Sequence, residues 1–454
     1  MSVPREPESH RPRPPSHFYS EQTARETAQR RRDAGRVTSE FPGADAHAHA
    51  ALADAVADLH PALRTLARAL HADPETAFEE VRSVGRIAEL LTAHALPATV
   101  GVHGLDTALR SEFTLGEGGR TVAILAEYDA LPGIGHACGH NVMGATSVGA
   151  YLALHRLGTA RPDAFAGRVV LLGTPGEEGH TGKEYMAREG ALEGVDAAIM
   201  LHSYGHDLAD QAWLGRRTCR VTFTGVAAHA SAEPFMGRNA LDAASLMYTG
   251  IGLLRQQMLP VDRIHAVILE GGTRPSIITE TAVLALYVRS KYSDSLADLS
   301  RRVADLARGA ALMAGVGVRI EWDTHPPSLP VRTNAPLTQR WVVAQESRGR
   351  RALPLGVVPE TLAASTDFGN VSVRVPGIHP LLKIADESVA LHTREFAEAA
   401  ASDAAMDAVA DGAYGLAATA LDFLVDDSLA EAVHADFIAA GGVVDVEHLF
   451  DDLS

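Results

Sequence analysis

The chain has 454 residues, with 40 Lys plus Arg against 57 Asp plus Glu, a formal net charge of −17. This acidic balance argues against a nucleic-acid-binding protein, which needs a clustered basic surface. No continuous apolar run is long enough to cross a membrane, so we expect a soluble globular enzyme or binding protein without a membrane partner. The two cysteines, Cys138 and Cys219, exclude a disulfide scaffold and predict a cytoplasmic location.

The first part of the chain is predicted to be an extension followed by helices. Residues 1–45 are rich in Arg, Pro and Glu and contain too few apolar residues to bury a face. We therefore expect an N-terminal extension that is flexible or packed on a partner. Amphipathic patterns at about 52–70 and 84–91 then predict two helices.

Three short apolar runs follow, at 121–126, 168–172 and 197–201, as expected of buried parallel strands. Helical patterns at about 142–157 and 182–190 separate these runs. Strands that alternate with helices predict an α/β fold whose central, mostly parallel sheet is flanked by helices. We assign residues 46–212 to the first part of this catalytic domain.

The pattern changes near residue 213, which predicts an inserted α+β domain over 213–330. Segments at about 217–230 and 283–290 alternate as half-buried strands do. Two helical stretches lie at about 239–256 and 295–314. Residues 331–454 are predicted to complete the catalytic domain with a long alanine-rich helix, about 394–424, and an acidic C-terminal tail.

Metal-ligand side chains concentrate directly after the predicted strands. The segment AEYDALPGIGHACGHNVMG places Asp129, His136, Cys138 and His140 at the carboxyl end of the first apolar strand, where open α/β sheets bind ligands. A lone buried cysteine is usually inert. With His140 two residues away in a glycine-rich turn, however, a thiolate and an imidazole can face one cation.

Further ligand types follow the other strands. Glu177 and Glu178 are adjacent carboxylates after the second strand, and because neighbouring side chains diverge, one can bind metal while the other acts as a base. His202 follows the third strand, and His392 precedes the last long helix. Strand-end positions converge on one crevice, and this ligand set suits two divalent ions about 3.5–4 Å apart.

In this combination the sequence resembles the dinuclear metallopeptidase family of aminoacylases and carnosinase-like dipeptidases. It is most similar to the amidohydrolase branch with p-aminobenzoyl-glutamate hydrolase, hippurate hydrolases and β-alanyl-lysine dipeptidases. The resemblance covers about 50–425. It rests on the segments DPETAFEE, YDALPGIGHACGHN, GTPGEEG, LHSY, GVAAHASAEPFMGRNALDA, ASTDFGNVS and HTREF.

This resemblance implies a catalytic domain with an inserted lid and dimerisation domain, two divalent metal ions per chain, and Glu177 as general base. The thiolate favours zinc, with manganese or cobalt as alternatives. Cys138 would occupy the bridging position that an aspartate fills elsewhere in the family. The metal ligands that the resemblance implies are Cys138, His140, Glu178, His202 and His392.

The resemblance also implies a set of substrate contacts. His229 would come from the partner subunit of a homodimer. Asn239 could equally be a helix N-cap, and Arg289, matched to a carboxylate-binding arginine, could equally form a salt bridge. Ser276 replaces an asparagine that is frequent in the family's lid. The implied substrate contacts are His229, Asn239, Arg289, Gly369 and Asn370.

Together, the residues and the resemblance predict a metal-dependent amidohydrolase. Its small-molecule substrate would be an N-acyl, aroyl or aminoacyl amino acid or a dipeptide, and Glu177 would take a proton from the attacking water. Two alternatives stay open at this point: a biosynthetic enzyme that uses the same site on an acylated intermediate, and a non-catalytic binding protein of the same fold.

Overall fold

The computed structural model describes residues 15–360 and 363–451. The helices are α1 (Phe18–Asp33), α2 (Ala46–Ala72), α3 (Val81–Ala93), α4 (His140–Ala160), α5 (Gly182–Arg188), α6 (Ala240–Leu254), α7 (Ser293–Ala314), α8 (Ala335–Ser347), α9 (Phe368–Ser372), α10 (Arg394–Ala399), α11 (Asp403–Val425) and α12 (Asp427–Ala439). The strands are β1 (Ala98–Val102), β2 (Leu105–Leu115), β3 (Arg120–Ala126), β4 (Gly167–Gly173), β5 (Ala197–Ile199), β6 (His202–Tyr204), β7 (Gly215–Thr224), β8 (Arg263–Glu270), β9 (Thr281–Ser290), β10 (Gly317–Trp322), β11 (Gly377–Ile378) and β12 (Leu381–Lys383).

A six-stranded sheet in the order β1-β2-β4-β3-β5-β11 forms the centre of the molecule. The strands β4, β3, β5 and β11 run parallel, while β2 joins β4 and β1 in antiparallel register. The helices α4 and α11 pack against β3, and α2 packs against both helices. The predicted α/β fold with a mostly parallel sheet flanked by helices is therefore confirmed.

The inserted unit is built on an antiparallel sheet in the order β10-β7-β9-β8. One face of this sheet packs against α6 and α7 around a core of its own that includes Val221, Phe223 and Val288. The strand β8 lies at the edge of the sheet and exposes Val267 and Leu269. The exact limits of the predicted domains, 46–212, 213–330 and 331–454, stay predictions.

Three segments differ from the sequence-based expectations. The long helix expected at 394–424 is divided into α10 and α11, because Ser402 caps the second helix by accepting a hydrogen bond from Ala405 N at 3.1 Å. The acidic tail, predicted as part of the catalytic domain, places Val446 and Phe450 in the buried core of the inserted unit. The acidic composition of this segment gave no indication that these two apolar side chains are buried.

The described part of the extension packs on its own chain. The helix α1 has a strongly polar sequence but is fastened by ionic contacts: Arg31 donates to His206 Nδ1 at 2.8 Å and pairs with Glu387 at 2.5 Å. The prediction of a flexible or partner-bound segment was based only on its lack of apolar residues. It did not include these ionic contacts, which hold α1 on its own chain. Residues 1–14 lie outside the described residues.

Of the described helices, α11 is long and apolar enough to cross a membrane by length and composition. Its apolar window is 89% buried in the protein, where it packs against α2, α4 and α8. Aspartates such as Asp411 and Asp422 interrupt its apolar sequence, so it contains no long continuous apolar run. These contacts make α11 a core helix of the fold.

Asp422 connects this core helix to its neighbours, and its removal should destabilise the fold. Its side chain, 1% exposed, accepts hydrogen bonds from Arg340 Nε at 2.7 Å and Ala44 N at 2.8 Å and contacts His49 Nε2 at 2.9 Å. We expect Asp422→Ala to lower the free energy of unfolding by about 3–5 kcal/mol, because it leaves the Arg340 guanidinium buried without its counter-ion.

Chemical denaturation monitored by circular dichroism would measure this loss. Asp427→Ala is the matched control, because the Asp427 side chain is 88% exposed and pairs with Arg120 at the surface. The control should change the free energy of unfolding by less than about 1 kcal/mol. Equal effects of the two substitutions would contradict a structural role for the Asp422 network.

Candidate active site

The candidate site lies where the strands of the central sheet end. After β3 the chain continues into Glu127 and Asp129, and after β4 it reaches Glu177 and Glu178. His202 begins β6 directly after β5. Because β3, β4 and β5 are parallel, their carboxyl ends meet at one edge of the sheet, as the sequence predicted.

A tight turn presents Cys138 and His140 on either side of Gly139. Gly139 has a φ of 78°, and a Cβ atom there would lie 2.6 Å from Cβ of Ser203, so only glycine fits. The turn leads directly into α4, which begins at His140. Cys138 is buried, and its Sγ lies 3.4 Å from Nε2 of His202.

The imidazole of His140 is oriented through its Nδ1 atom. That nitrogen lies 2.9 Å from the carbonyl oxygen of Asp129 and 3.0 Å from its carboxylate, which makes it the donor. Nε2 is then left as an acceptor, 3.4 Å from Oε2 of Glu127, and both atoms are buried without a hydrogen-bond partner among the described residues. A carboxylate behind an imidazole is the usual support of a metal-binding histidine.

The two adjacent glutamates occupy the turn after β4. The Glu178 backbone N–H donates to Oδ2 of Asp129 at 2.9 Å, and Glu178 Oε1 lies 3.7 Å from Nε2 of His392. Burial raises the pKa of Glu178 to about 7. Burial, together with the negative charges of Glu178 and Glu127, also raises the pKa of Glu177 well above its usual value.

His202 and His392 approach the site from different sides. His202 is buried, and its Nδ1 donates to the Ser203 carbonyl at 2.7 Å, which leaves Nε2 free to face Cys138. The His392 side chain is 54% exposed and lies at the rim. Its φ of 62° is in the left-handed region, and its N–H donates to the Ala137 carbonyl at 2.9 Å.

The predicted ligand atoms converge in three overlapping groups. Within each group all ligand atoms lie within 4.8 Å of one another. Unpartnered buried atoms of His140 and Glu178 point into these groups. Thiolate, imidazole and carboxylate donors at this spacing fit divalent cations. The groups are Cys138, His140 and His202; Cys138, Glu178 and His392; and His140, Glu177 and Glu178.

The predicted substrate contacts in the inserted unit form local contacts within that unit. No hydrogen bond or ion pair among the described residues joins the exposed His229 to the ligand atoms. Asn239 caps α6 by accepting from Leu241 N at 3.0 Å, which matches the alternative left open for it. Arg289, on β9, lies with its guanidinium 5.0 Å from the centre of the Tyr287 ring.

Gly369 and Asn370 lie on α9 and are buried. The Asn370 side chain donates to Glu184 at 2.9 Å and to the Pro327 carbonyl at 2.8 Å, and accepts from Leu329 N at 2.8 Å. These bonds fasten the segment that returns from the inserted unit. The structure thus places both residues at the junction between the catalytic domain and the inserted unit. Their role in substrate binding stays a prediction.

Sequence reasoning missed a buried ionic triad beside the site. The Lys183 ammonium pairs with Glu127 and, at 2.6 Å, with Asp367, and all three side chains are at most 1% exposed. Lys183 lies four residues after the GTPGEEG motif, and Asp367 lies inside ASTDFGNVS, so both were close to the segments that carry the resemblance. His136 is likewise buried, with Nε2 3.1 Å from the Leu70 carbonyl, and not an exposed turn residue.

Comparisons with known proteins agree with this geometry. The model of peptidase family M20/M25/M40 matches residues 123–417. The chain is 37% identical over 385 residues to the Xaa-Arg dipeptidase of Mus musculus, covering 83% of this chain and 88% of that protein. It is 34% identical over 280 residues to one of the subunits of p-aminobenzoyl-glutamate hydrolase from Escherichia coli (strain K12), covering 57% of each.

Solved structures show the same fold at low identity. A dinuclear metal-binding peptidase of the M20 family from Bacillus subtilis has a TM-score of 0.61 at 20% identity, covering 80% of this chain and 99% of that one. The aminobenzoyl-glutamate utilization protein from Klebsiella pneumoniae has a TM-score of 0.62 at 19% identity, covering 82% and 98%. The predicted family resemblance is confirmed, and the non-catalytic alternative is set aside. The chain belongs to peptidase family M20/M25/M40 and is a metal-dependent hydrolase that acts on amide bonds.

Proposed function

We propose that the enzyme cleaves the amide bond between an acyl, aroyl or aminoacyl group and an amino acid with a free α-carboxylate. The convergence of thiolate, imidazole and carboxylate atoms within 4.8 Å of one another carries this proposal. The names of the mouse and Escherichia coli relatives, a dipeptidase and an aminobenzoyl-glutamate hydrolase, support the substrate class.

The proposed metal ligands form two sets that share Cys138. One ion would be held by Cys138, His140 and His202, and the second by Cys138, Glu178 and His392. When bound, two such ions lower the pKa of a water molecule and polarise the substrate carbonyl. The shared thiolate favours zinc, while the imidazole and carboxylate ligands also suit manganese or cobalt. Both cysteines are free thiols, which supports the proposed cytoplasmic location.

Glu177 is proposed as the general base. It belongs to the same group of atoms as His140 and Glu178, so its carboxylate reaches the place where the attacking water must lie. It would accept the proton of that water and deliver it to the amine that leaves. Burial and the neighbouring carboxylates raise the pKa of Glu177, which favours its holding this proton until the amine leaves.

His229 is proposed to stabilise the oxyanion that forms on the substrate. Its Nδ1 faces the backbone N–H groups of Ser231 at 3.3 Å and Ala232 at 3.2 Å, which makes Nδ1 an acceptor. The tautomer with hydrogen on Nε2 follows from these bonds. The exposed Nε2–H is then free to donate to a developing negative charge.

We also propose a homodimer through the inserted unit. The edge strand β8 exposes Val267, Ile268 and Leu269, and α6 exposes Tyr248 and Leu253. An exposed apolar edge strand is a surface that pairs readily with another chain. In such a dimer His229, which forms no hydrogen bond or ion pair with the ligand cluster of its own chain among the described residues, would act in the site of the other protomer.

The first test concerns the bridging thiolate. Cys138→Ala removes a ligand from both sets, so we expect it to lose most of the bound metal and activity. Elemental analysis of the purified protein together with turnover of N-acyl amino acids measures both. Cys219→Ala is the control, because Cys219 is buried in the core of the inserted unit. Wild-type protein with only traces of transition metal would refute the metal assignment.

The second test separates the adjacent glutamates. Glu177→Gln removes the base and leaves the ligands, so metal content should persist while kcat falls by roughly 10²–10⁴-fold. Glu178→Gln should lower the metal content itself. Elemental analysis and steady-state kinetics on both variants decide the matter, and an equal loss of metal in the two would show that the roles are misassigned.

The third test concerns assembly. We expect a mixture of inactive His229→Ala and inactive Glu177→Gln chains to regain part of the wild-type activity, because a hybrid dimer contains one site with both groups intact. Turnover is measured after native mass spectrometry has shown that subunits exchange. If exchanged mixtures stayed inactive, His229 would act in its own chain or not at all.

A further inference from the structure

Three arginines form a row across the sheet of the inserted unit. Arg216 on β7 is directly opposite Arg289 on β9, and Arg289 is directly opposite Arg263 on β8. Directly opposed residues of an antiparallel pair project from the same face of the sheet. The flanking residues Val288 and Ile264 project to the other face and are buried in the core of the unit.

The row faces the catalytic domain. Arg216 donates from Nη2 to Oγ1 of Thr181 at 3.4 Å, and Thr181 lies just beyond the Glu177–Glu178 pair in sequence. The Arg216 and Arg289 guanidinium groups lie 5.5 Å and 5.0 Å from the centre of the same Tyr287 ring.

These cations have no counter-ion of their own. Arg216 is 9% exposed, its Nε is buried without a hydrogen-bond partner, and among the described residues no carboxylate forms an ion pair with Arg216 or Arg289. The nearby carboxylate of Asp323 is already engaged by Arg217 Nε at 2.7 Å and Thr218 N at 3.1 Å. A buried guanidinium without an anion is unfavourable, and substrate that brings negative charge would relieve this.

One guanidinium group is enough to pair with one carboxylate. Here two arginines without an ion-pair partner among the described residues lie next to each other on neighbouring strands. We propose that Arg216 and Arg289 form a subsite for two carboxylates, so that the amine half of the preferred substrate is an acidic amino acid of the aspartate or glutamate type. This inference rests on the proposed function, a substrate with a free α-carboxylate, and it places that carboxylate at Arg289. Arg216 then binds the side-chain carboxylate, since guanidinium groups match carboxylates in charge and shape.

The subsite also discriminates against basic substrates. An arginine in the amine half would place a third positive charge beside Arg216 and Arg289, and like charges brought together in a binding site are strongly unfavourable. The enzyme should therefore differ in preference from the mouse relative that is an Xaa-Arg dipeptidase, despite 37% identity.

The experiment compares N-benzoylglutamate, N-benzoylglutamine and N-benzoylarginine, which share one acyl group. For the wild-type enzyme we expect kcat/KM to be about 10- to 100-fold higher for the glutamate compound than for the glutamine compound, the range of a charged hydrogen bond, and lowest for the arginine compound. Arg216→Gln should remove most of the preference for glutamate, because it should lower kcat/KM for the glutamate compound far more than for the glutamine compound. Arg216→Lys should retain part of it.

Arg220→Gln is the matched control. Arg220 lies further along β7, is exposed and forms no ion pair among the described residues. It should keep the wild-type preference. Thermal melting serves as the folding control: Arg216→Gln should melt at or above the wild-type temperature, because it removes an uncompensated buried charge. Equal turnover of the three compounds, or a preference that survives Arg216→Gln, would overturn the proposal.

Failure of the proposed function gives a different result. If none of the three compounds were hydrolysed, the proposed substrate class would be wrong, and calorimetry on the Glu177→Gln variant would still test the subsite. We expect N-benzoylglutamate to bind this variant about 10-fold or more tightly than N-benzoylglutamine, and the added Arg216→Gln substitution to equalise the two affinities. Equal affinities before that substitution would reject the two-carboxylate subsite.

Discussion

Negative charge concentrated at the carboxyl ends of the parallel strands is the constraint on which the site depends. Glu127 and Asp129 follow β3, and Glu177 and Glu178 follow β4, all within a buried or half-buried crevice. Lys183 compensates part of this charge through its contact with Glu127. Loss of hydration on burial raises the pKa of Glu177 and Glu178, and repulsion from neighbouring carboxylates raises both further. Bound divalent cations satisfy such a cluster, so its composition selects a metal centre.

The inserted unit presents the opposite charge to the same crevice. Its sheet directs Arg216 and Arg289 towards the loop after β4, whose residue Thr181 accepts the Arg216 hydrogen bond. The carboxylates at the strand ends require cations, and the arginines of the inserted unit require anions. A substrate with a polarisable carbonyl at one end and carboxylates at the other meets both requirements, although the net charge of the chain, −17, repels anions at long range.

Sequence patterns predicted those parts of the fold that depend on local chemistry. The apolar runs became β3, β4 and β5, and the polar residues after each run reached one edge, because parallel strands leave their loops together. The two-residue strand β11 and the polar, alternating β1 and β2 depend on sheet neighbours distant in sequence, and local patterns carry little of that information.

The same distinction applies to side chains. Cys138, His140 and Glu178 could be chosen from residue type and position alone. The burial of Lys183 between Glu127 and Asp367 is set by tertiary packing, since a lysine in the first turn of a short helix would by default be exposed. The fold also decides whether an arginine forms an ion pair with a carboxylate. The sequence of β7 could not predict that Arg216 forms none among the described residues.

Backbone strain identifies the same region by an independent criterion. Among the described non-glycine residues with positive φ, Phe78 (65°), Thr181 (62°) and His392 (62°) all lie at the crevice. Phe78 packs edge-on to His180 at 5.4 Å between ring centres, beside the glutamate turn. Left-handed conformations are unfavourable for residues with a Cβ atom and persist where the surrounding structure enforces them. The strain at Thr181 and His392 therefore accompanies the placement of the Arg216 acceptor and of the His392 ligand, while the strained Phe78 packs against the residues that follow the glutamate pair.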